Sequence, residues 1–144
     1  MTAEGYGRFL SLVAHEYFHL WHVKRLRPVP LGPFDYEAEN YTSLLWEAEG
    51  FTSYYEKLIL YRAGLIDADK LMEEQVKRIH FIETRAGTGV QSLAESSFDA
   101  WIKAYRPTEN SVNAEVSYYV KGAVIALLLD WEIIHQQPGA IQSG

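Results

Sequence analysis

Two histidines and a glutamate stand in the middle of an apolar run, LVAHEYFHLWH, which ends on a third histidine, at residues 12–22. Burying any of the three without a partner costs free energy, so something must hold them there. In a helix, residues four apart lie one above the other on the same face. His15 and His19 therefore present two imidazoles to one point. Glu16 sits about 100° around the helix from His15, where it can take a proton from water without being a ligand. This is the physical content of an H-E-x-x-H segment: two zinc ligands and a general base on one turn.

A catalytic zinc uses three protein ligands and keeps one position open. His22 shares the face of His15 and His19, but it lies seven residues past His15, a rise of about 10 Å. One tetrahedral ion cannot gather all three from a straight helix. His80 and His135 are isolated in the sequence and read as surface or satisfied polar residues. A carboxylate on the next helix is the alternative: Glu47, Glu49 or Glu56. The apolar stripe of Leu44, Ala48, Phe51, Tyr55 and Leu58 leaves all three off its centre, so periodicity does not choose among them. One feature favours Glu49. Gly50 follows it inside a helix, where glycine costs about 1 kcal/mol relative to alanine. Such a glycine points to close approach of another element.

The elements that must position these residues are helical. Leu10, Val13, Ala14, Tyr17, Phe18 and Trp21 recur at helical spacing and predict a helix from about Tyr6 to Lys24. The prolines of RPVPLGPFDY predict a rigid, non-helical connection. A second helix is expected from about Thr42 to Ala63, capped by Asn40 or Thr42 and stopped by Gly64. A third is expected to start after Asp67 and run to about Arg85. AGTGVQS reads as loop, LAESSFDAWIKAY as a short helix stopped by Pro107, and RPTENSVN as loop. A last helix is expected over about Val116 to Gln136. No strand has clear support, and there is no internal repeat or low-complexity tract.

The 144 residues suit one domain or part of one. Hydrophobic residues make up 48% and aromatics 14%, enough for a packed core. A net charge of −6 argues against a broad nucleic-acid-binding face. The cluster Lys24, Arg25 and Arg27 reads as the solvated end of a helix. There is no cysteine, so a metal must be held by His and carboxylate. The longest apolar run, AVIALLL at 123–129, is too short to span a bilayer. No signal-peptide pattern is present.

Four blocks in order, HEYFHLWHVKRLRP, PFDYEAENYTSLLWEAEGFTSYYEKLILYRAGL, QSLAESSFDAWIKAYRP and VSYYVKGAVIALLLD, resemble the glycyl aminopeptidase family of zinc metallopeptidases, in the gluzincin clan. The resemblance runs from about Phe9 to Asp130. It implies a mainly α fold, the helical subdomain of a zincin-type, thermolysin-like catalytic domain. It implies that His15, His19 and Glu49 are the Zn²⁺ ligands and Glu16 the base. YVKGA resembles a Y-x-K-G block whose tyrosine stabilises the oxyanion, which implies that role for Tyr119, with Tyr118 the weaker choice. The family commonly has Asn where this chain has His22, outside the ligand set.

The resemblance further implies release of small N-terminal residues, such as Gly or Ala, from a peptide or protein substrate. It implies that residues 1–144 are the helical half of the catalytic domain. An upstream β-rich region, elements that bind the substrate amine and a downstream PDZ domain would lie outside them. A half domain is expected to be a weak enzyme and to self-associate through its uncovered face. Ser53, Glu56 and Asp99 are the candidates for orienting the ligand histidines. Two readings from other classes stand beside the enzyme. One is a non-catalytic interaction module, against which the intact set His15, Glu16, His19, Glu49 and Tyr119 argues. The other is a structural zinc site, which needs four ligands where the sequence offers three good ones.

Overall fold

In a computed structural model the chain is described over residues 2–137, and these are mainly helical, with no strand among them. Helix α1 (Ala3–Phe18) leads through a turn and a short 3-10 segment (Val29–Leu31) to α2 (Leu45–Arg62). Then come α3 (Ala68–Thr84), α4 (Gly87–Val90), α5 (Leu93–Phe98), α6 (Ser111–Ala114) and α7 (Tyr118–Gln136).

Local chemistry sets several of the boundaries. Asp67 accepts from Lys70 N–H at the start of α3, as expected. Gly64 closes α2 with φ +67°, the left-handed conformation that glycine adopts without penalty. Ser117 accepts from Val120 N–H and starts α7. Ser92 and Glu95 form a reciprocal capping box on α5.

Other boundaries depart from expectation. α1 stops at Phe18, not near Lys24, because the chain turns over residues 19–26. The turn passes through Val23, whose φ of 106° is the only positive value at a non-glycine among the described residues. Neither Asn40 nor Thr42 is the N-cap of α2. Thr42 accepts from Leu44 N–H one step before the helix, and Trp46 N–H donates to Ser97 Oγ of α5 at 3.0 Å. The segments read as loops hold the one-turn helices α4 and α6. α5 ends at Phe98, well short of Pro107.

Helix α2 is central, with α1, α3, α5 and α7 all packed on it. Tyr54 of α2 and Ala123, Ala126 and Leu127 of α7 form the core, with Phe51, Tyr55, Leu58 and Ile79 against it. Tyr54 also donates to Asp130 at 2.6 Å, tying the middle of α2 to the C-terminal half of α7. By composition and length Ser111–Gln136 is apolar enough to cross a membrane. Here that stretch is broken before α7, whose Gly122, Ala123, Ala126 and Leu127 are buried.

The expected close approach at Gly50 is present. A Cβ on Gly50 would lie 2.5 Å from Gly122 Cα, and one on Gly122 would run into the Trp46 carbonyl oxygen. The obstructing atoms are backbone, which cannot turn aside. Gly50→Ala and Gly122→Ala should each cost about 1–3 kcal/mol or more by overpacking. Gly7 of α1 has nothing within 4 Å of its missing Cβ, so Gly7→Ala should stabilise, by about 0.5–1 kcal/mol. Urea denaturation of the three variants checks this, and equal effects at Gly7 and Gly50 would contradict it.

Candidate metal centre

The i, i+4 spacing on α1 brings the His15 and His19 rings edge to face, with centroids 4.7 Å apart. α2 packs against this face and delivers Glu49. Its Oε2 lies 3.1 Å from His15 Nε2 and 3.3 Å from His19 Nε2. These three are the only metal-capable group of three among the described residues. They stay reachable, with 13%, 15% and 21% of their side chains exposed.

The second nitrogen of each ring is committed elsewhere. His15 Nδ1 donates to Glu56 Oε2 at 2.8 Å. Glu49 and Glu56 are seven residues apart, close to two full turns, so they share a face. The His15 ring fits between them, one nitrogen to each. The other oxygen of Glu56 meets Lys57 Nζ at 3.2 Å and, more loosely, Arg78 at 3.8 Å. Lys57 donates to Ser11 of α1, and Arg78 of α3 donates to the Ser53 carbonyl. His19 Nδ1 donates to the carbonyl of His22 at 2.9 Å. Thr52 Oγ1 is 3.4 Å from the same nitrogen but gives its proton to Ala48 O at 2.6 Å.

With both Nδ1 atoms donating, both Nε2 lone pairs face the Glu49 carboxylate. Three acceptors then converge, and only protons or a cation can hold them together. Without metal, protons do it. Burial opposes a charge on His15, yet its hydrogen bonds to Glu49 and Glu56 prevail and raise its pKa to about 9. The hydrogen bond to Glu49 raises that of His19 against the effect of burial. Burial pushes Glu49 upward, but the two imidazoles hold it down at about 2. A divalent cation can replace those protons. Ligands about 2.0–2.1 Å from a tetrahedral zinc are separated by about 3.3 Å, close to the two distances seen here. The donor set fits zinc.

The remaining sequence candidates fall in distinct places. Glu16 is exposed beside His15, with no hydrogen bond or ion pair among the described residues. The Tyr119 ring lies 6.3 Å from the His15 ring. Burial and the Glu49 charge both raise the Tyr119 pKa, so the hydroxyl keeps its proton. Tyr118 is buried against it. His22 does not join the group: its Nε2 donates to the Glu47 carbonyl at 3.1 Å, and Glu47 Oε1 is 3.3 Å away. That occupies Glu47 as well. Of the orienting candidates, Glu56 reaches His15. Ser53 offers only its carbonyl to Arg78, and Asp99 pairs with Lys103. Lys57, Arg78, Thr52 and the His22 carbonyl escaped the sequence reading. Only Lys57, next to Glu56, had a signal that could have found it.

Comparison with known proteins was consistent with these features. Residues 8–125 match the family described as M61 glycyl aminopeptidase. Among solved structures, the chain is similar to an aminopeptidase N family protein from Idiomarina loihiensis, at 43% identity and a TM-score of 0.90. The match covers 96% of this chain and 24% of that one, so the chain spans about a quarter of that protein's length. A comparison with curated proteins found no match.

The protonated cluster should stabilise the metal-free fold over a defined pH range. The raised pKa of His15 gives stability fully present below 6.5 and lost as pH rises through about 9. The depressed pKa of Glu49 gives stability present above 4.5 and lost as pH falls through about 2. The contact is thus at full strength between 4.5 and 6.5. Thermal melts in chelator should show the melting temperature falling as pH passes from 6.5 towards 9, with zinc reversing the loss. In Glu49→Gln that decline should flatten. A wild-type melting temperature indifferent to pH over this interval would contradict the arrangement.

Proposed function

The chain belongs to the M61 glycyl aminopeptidase family, and from that membership we propose that it carries the metal site and catalytic side chains of a zinc-dependent aminopeptidase. The reaction is hydrolysis of the first peptide bond of a peptide or protein, with small N-terminal residues such as Gly or Ala released. The observation that carries the reading is the convergence of His15, His19 and Glu49, with both imidazoles oriented from behind.

His15 and His19 would hold zinc through Nε2, and Glu49 through Oε2. The ion supplies Lewis acidity, which acidifies water and polarises a carbonyl. Glu16, solvent-facing on the same turn, takes the proton from the attacking water and returns it to the leaving amine. Tyr119, held in the protonated form, donates a hydrogen bond to the oxygen of the scissile carbonyl as charge develops there. Glu56 and the His22 carbonyl keep the two rings from rotating. Only three ligands converge among the described residues, and Glu47 and His22 are engaged with each other, which favours an open catalytic position over a closed structural one.

The setting supports the half-domain reading. Tyr6, Phe9, Val13 and Tyr17 form a half-exposed apolar stripe on α1, continued by Leu20 in the turn, with Glu16 beside it. A hollow of about 640 Å³ lies away from the site, between α1, α2 and α3, and one of about 330 Å³ is lined by Tyr118 and Tyr119; neither is lined by His15, His19 or Glu49. The three ligand side chains are partly exposed, and where water reaches them electrostatic stabilisation of an oxyanion is weak. The chain alone would be a poor enzyme and would self-associate through the α1 stripe.

Three measurements test this reading. Glu49→Gln and His19→Ala should lose the stoichiometric zinc that the wild type binds. Glu16→Gln, in a protein that includes the rest of the catalytic domain, should keep zinc while kcat on Gly- and Ala-terminated peptides falls about 10²-fold or more. Full kcat in a zinc-loaded Glu16→Gln protein would exclude Glu16 as the base. Light scattering on the chain should show oligomers that Phe9→Arg with Val13→Arg disperses, and a wild-type monomer at high concentration would refute the self-association.

A further inference from the structure

His22 is neither a ligand nor a surface residue, and the proposed chemistry does not use its ring. That ring is held on three sides. Its Nε2 donates to the Glu47 carbonyl at 3.1 Å. The Phe18 ring is 5.6 Å away, and the Phe51 ring stacks at 6.2 Å. Only 13% of the side chain is exposed.

The backbone of the same residue does something a helix cannot. In an α-helix every carbonyl points along the axis towards the C-terminus, so the carbonyl of residue i+3 points away from side chain i. Yet the His22 carbonyl accepts from Nδ1 of His19, three residues earlier, at 2.9 Å. The next residue explains how. Val23 takes φ 106°, which turns the 22–23 peptide out of helical alignment. A β-branched residue at positive φ is a genuine outlier, kept only where the surroundings over-determine it. Here Val23 N–H donates to Leu26 O at 2.6 Å, and Lys24 N–H to His19 O at 3.1 Å. The turned peptide is thus pinned on one side by these bonds and on the other by the His22 ring.

We propose that His22 is a positioning residue of the metal centre. Its ring, anchored on the first turn of α2, holds its own carbonyl against His19 Nδ1 and so presents His19 Nε2 to the ion. The anchor at Glu47 is two residues from Glu49, so the same contact sets the distance from the α1 turn to the third ligand. The proposal rests on the reading of His19 and Glu49 as zinc ligands.

The test compares His22→Phe, which keeps a flat ring between Phe18 and Phe51 but has no donor, with His22→Gln, which keeps a donor at similar reach. The first readout is the exchange protection of the His19 Nδ1 proton in nitrogen-15 NMR spectra, recorded with and without zinc. The second is zinc affinity by competition with a chromophoric chelator. In His22→Phe the proton should lose its protection even in the metal-free chain. Zinc binding should weaken about 10- to 100-fold, the usual effect of removing a partner that orients a ligand. His22→Gln should recover both. A thermal melt checks folding, and His22→Leu replaces His22→Phe if that variant is unfolded. A protected proton or undiminished zinc affinity in His22→Phe overturns the proposal, as does a His22→Gln variant that recovers neither. His19→Ala separates the two readings. If it binds zinc as tightly as the wild type, the ligand assignment falls and the proposal with it. If it loses zinc while His22→Phe keeps it, the positioning role alone falls.

Discussion

The backbone contact between Gly50 and Gly122 is the constraint on which the rest of the molecule depends. Two helices can approach this closely only where neither carries a side chain at the crossing, and here a methyl group on either glycine would strike backbone of the other helix. The crossing also fixes chemistry. Glu49 is the residue before Gly50, and Tyr119 lies three residues before Gly122, less than one turn along α7. Pinning the two glycines together therefore sets Glu49 and Tyr119 relative to each other before α1 is considered. α1 then docks on the remaining side of α2 and brings its two histidines to Glu49.

That docking is as much electrostatic as apolar. The inner side of α1 carries His15 and Ser11, and both find polar partners on α2: Glu49 and Glu56 for the histidine, Lys57 for the serine. Glu56 is shared between His15, Lys57 and Arg78, so two cations offset its charge whether or not His15 is protonated. An isolated buried carboxylate would be costly, and one left unpaired by loss of a partner more so. The cluster is therefore built to tolerate exchange of imidazole protons for a divalent ion. The charge that changes lies on the side facing Glu49, and the compensation of Glu56 behind it stays in place.

The outward side of α1 shows the opposite arrangement. Its half-exposed aromatic and aliphatic residues include Tyr17, which meets the Trp21 ring of the adjoining turn edge to face at 5.0 Å, while the inward side packs on α2. Glu16 stands on the border between the two. In the proposed role of general base it would have to meet both ion and substrate, and this border is where a second wall of a cleft would then have to stand. The solved relative to which the chain is similar is about four times longer.

Much of the site was legible in the residues alone. The four-residue spacing of His15 and His19 is a local property, since helical geometry by itself puts them on one face. Asp67 and Gly64 mark helix ends through a short-range hydrogen bond and backbone freedom. Gly50 announced a close approach because glycine inside a helix has an energetic cost that packing must offset. Which element approached it was not legible, because contact between residues 50 and 122 is set by the tertiary fold. The roles of Glu47, Glu49 and Glu56 could not be told apart by periodicity, for a physical reason: α2 is packed by four helices, so its apolar residues mark no single face. Three-dimensional placement gave Glu49 to the two Nε2 atoms, Glu56 to the back of His15 and Glu47 to His22. The end of α1 at Phe18 was hidden for a related reason. Leu20, Trp21 and Val23 continue the helical pattern, and the turn that interrupts it is held by contacts to α2 and by a backbone angle that valine does not adopt alone. Local geometry thus determined which side chains could act, and long-range packing decided which atoms they face.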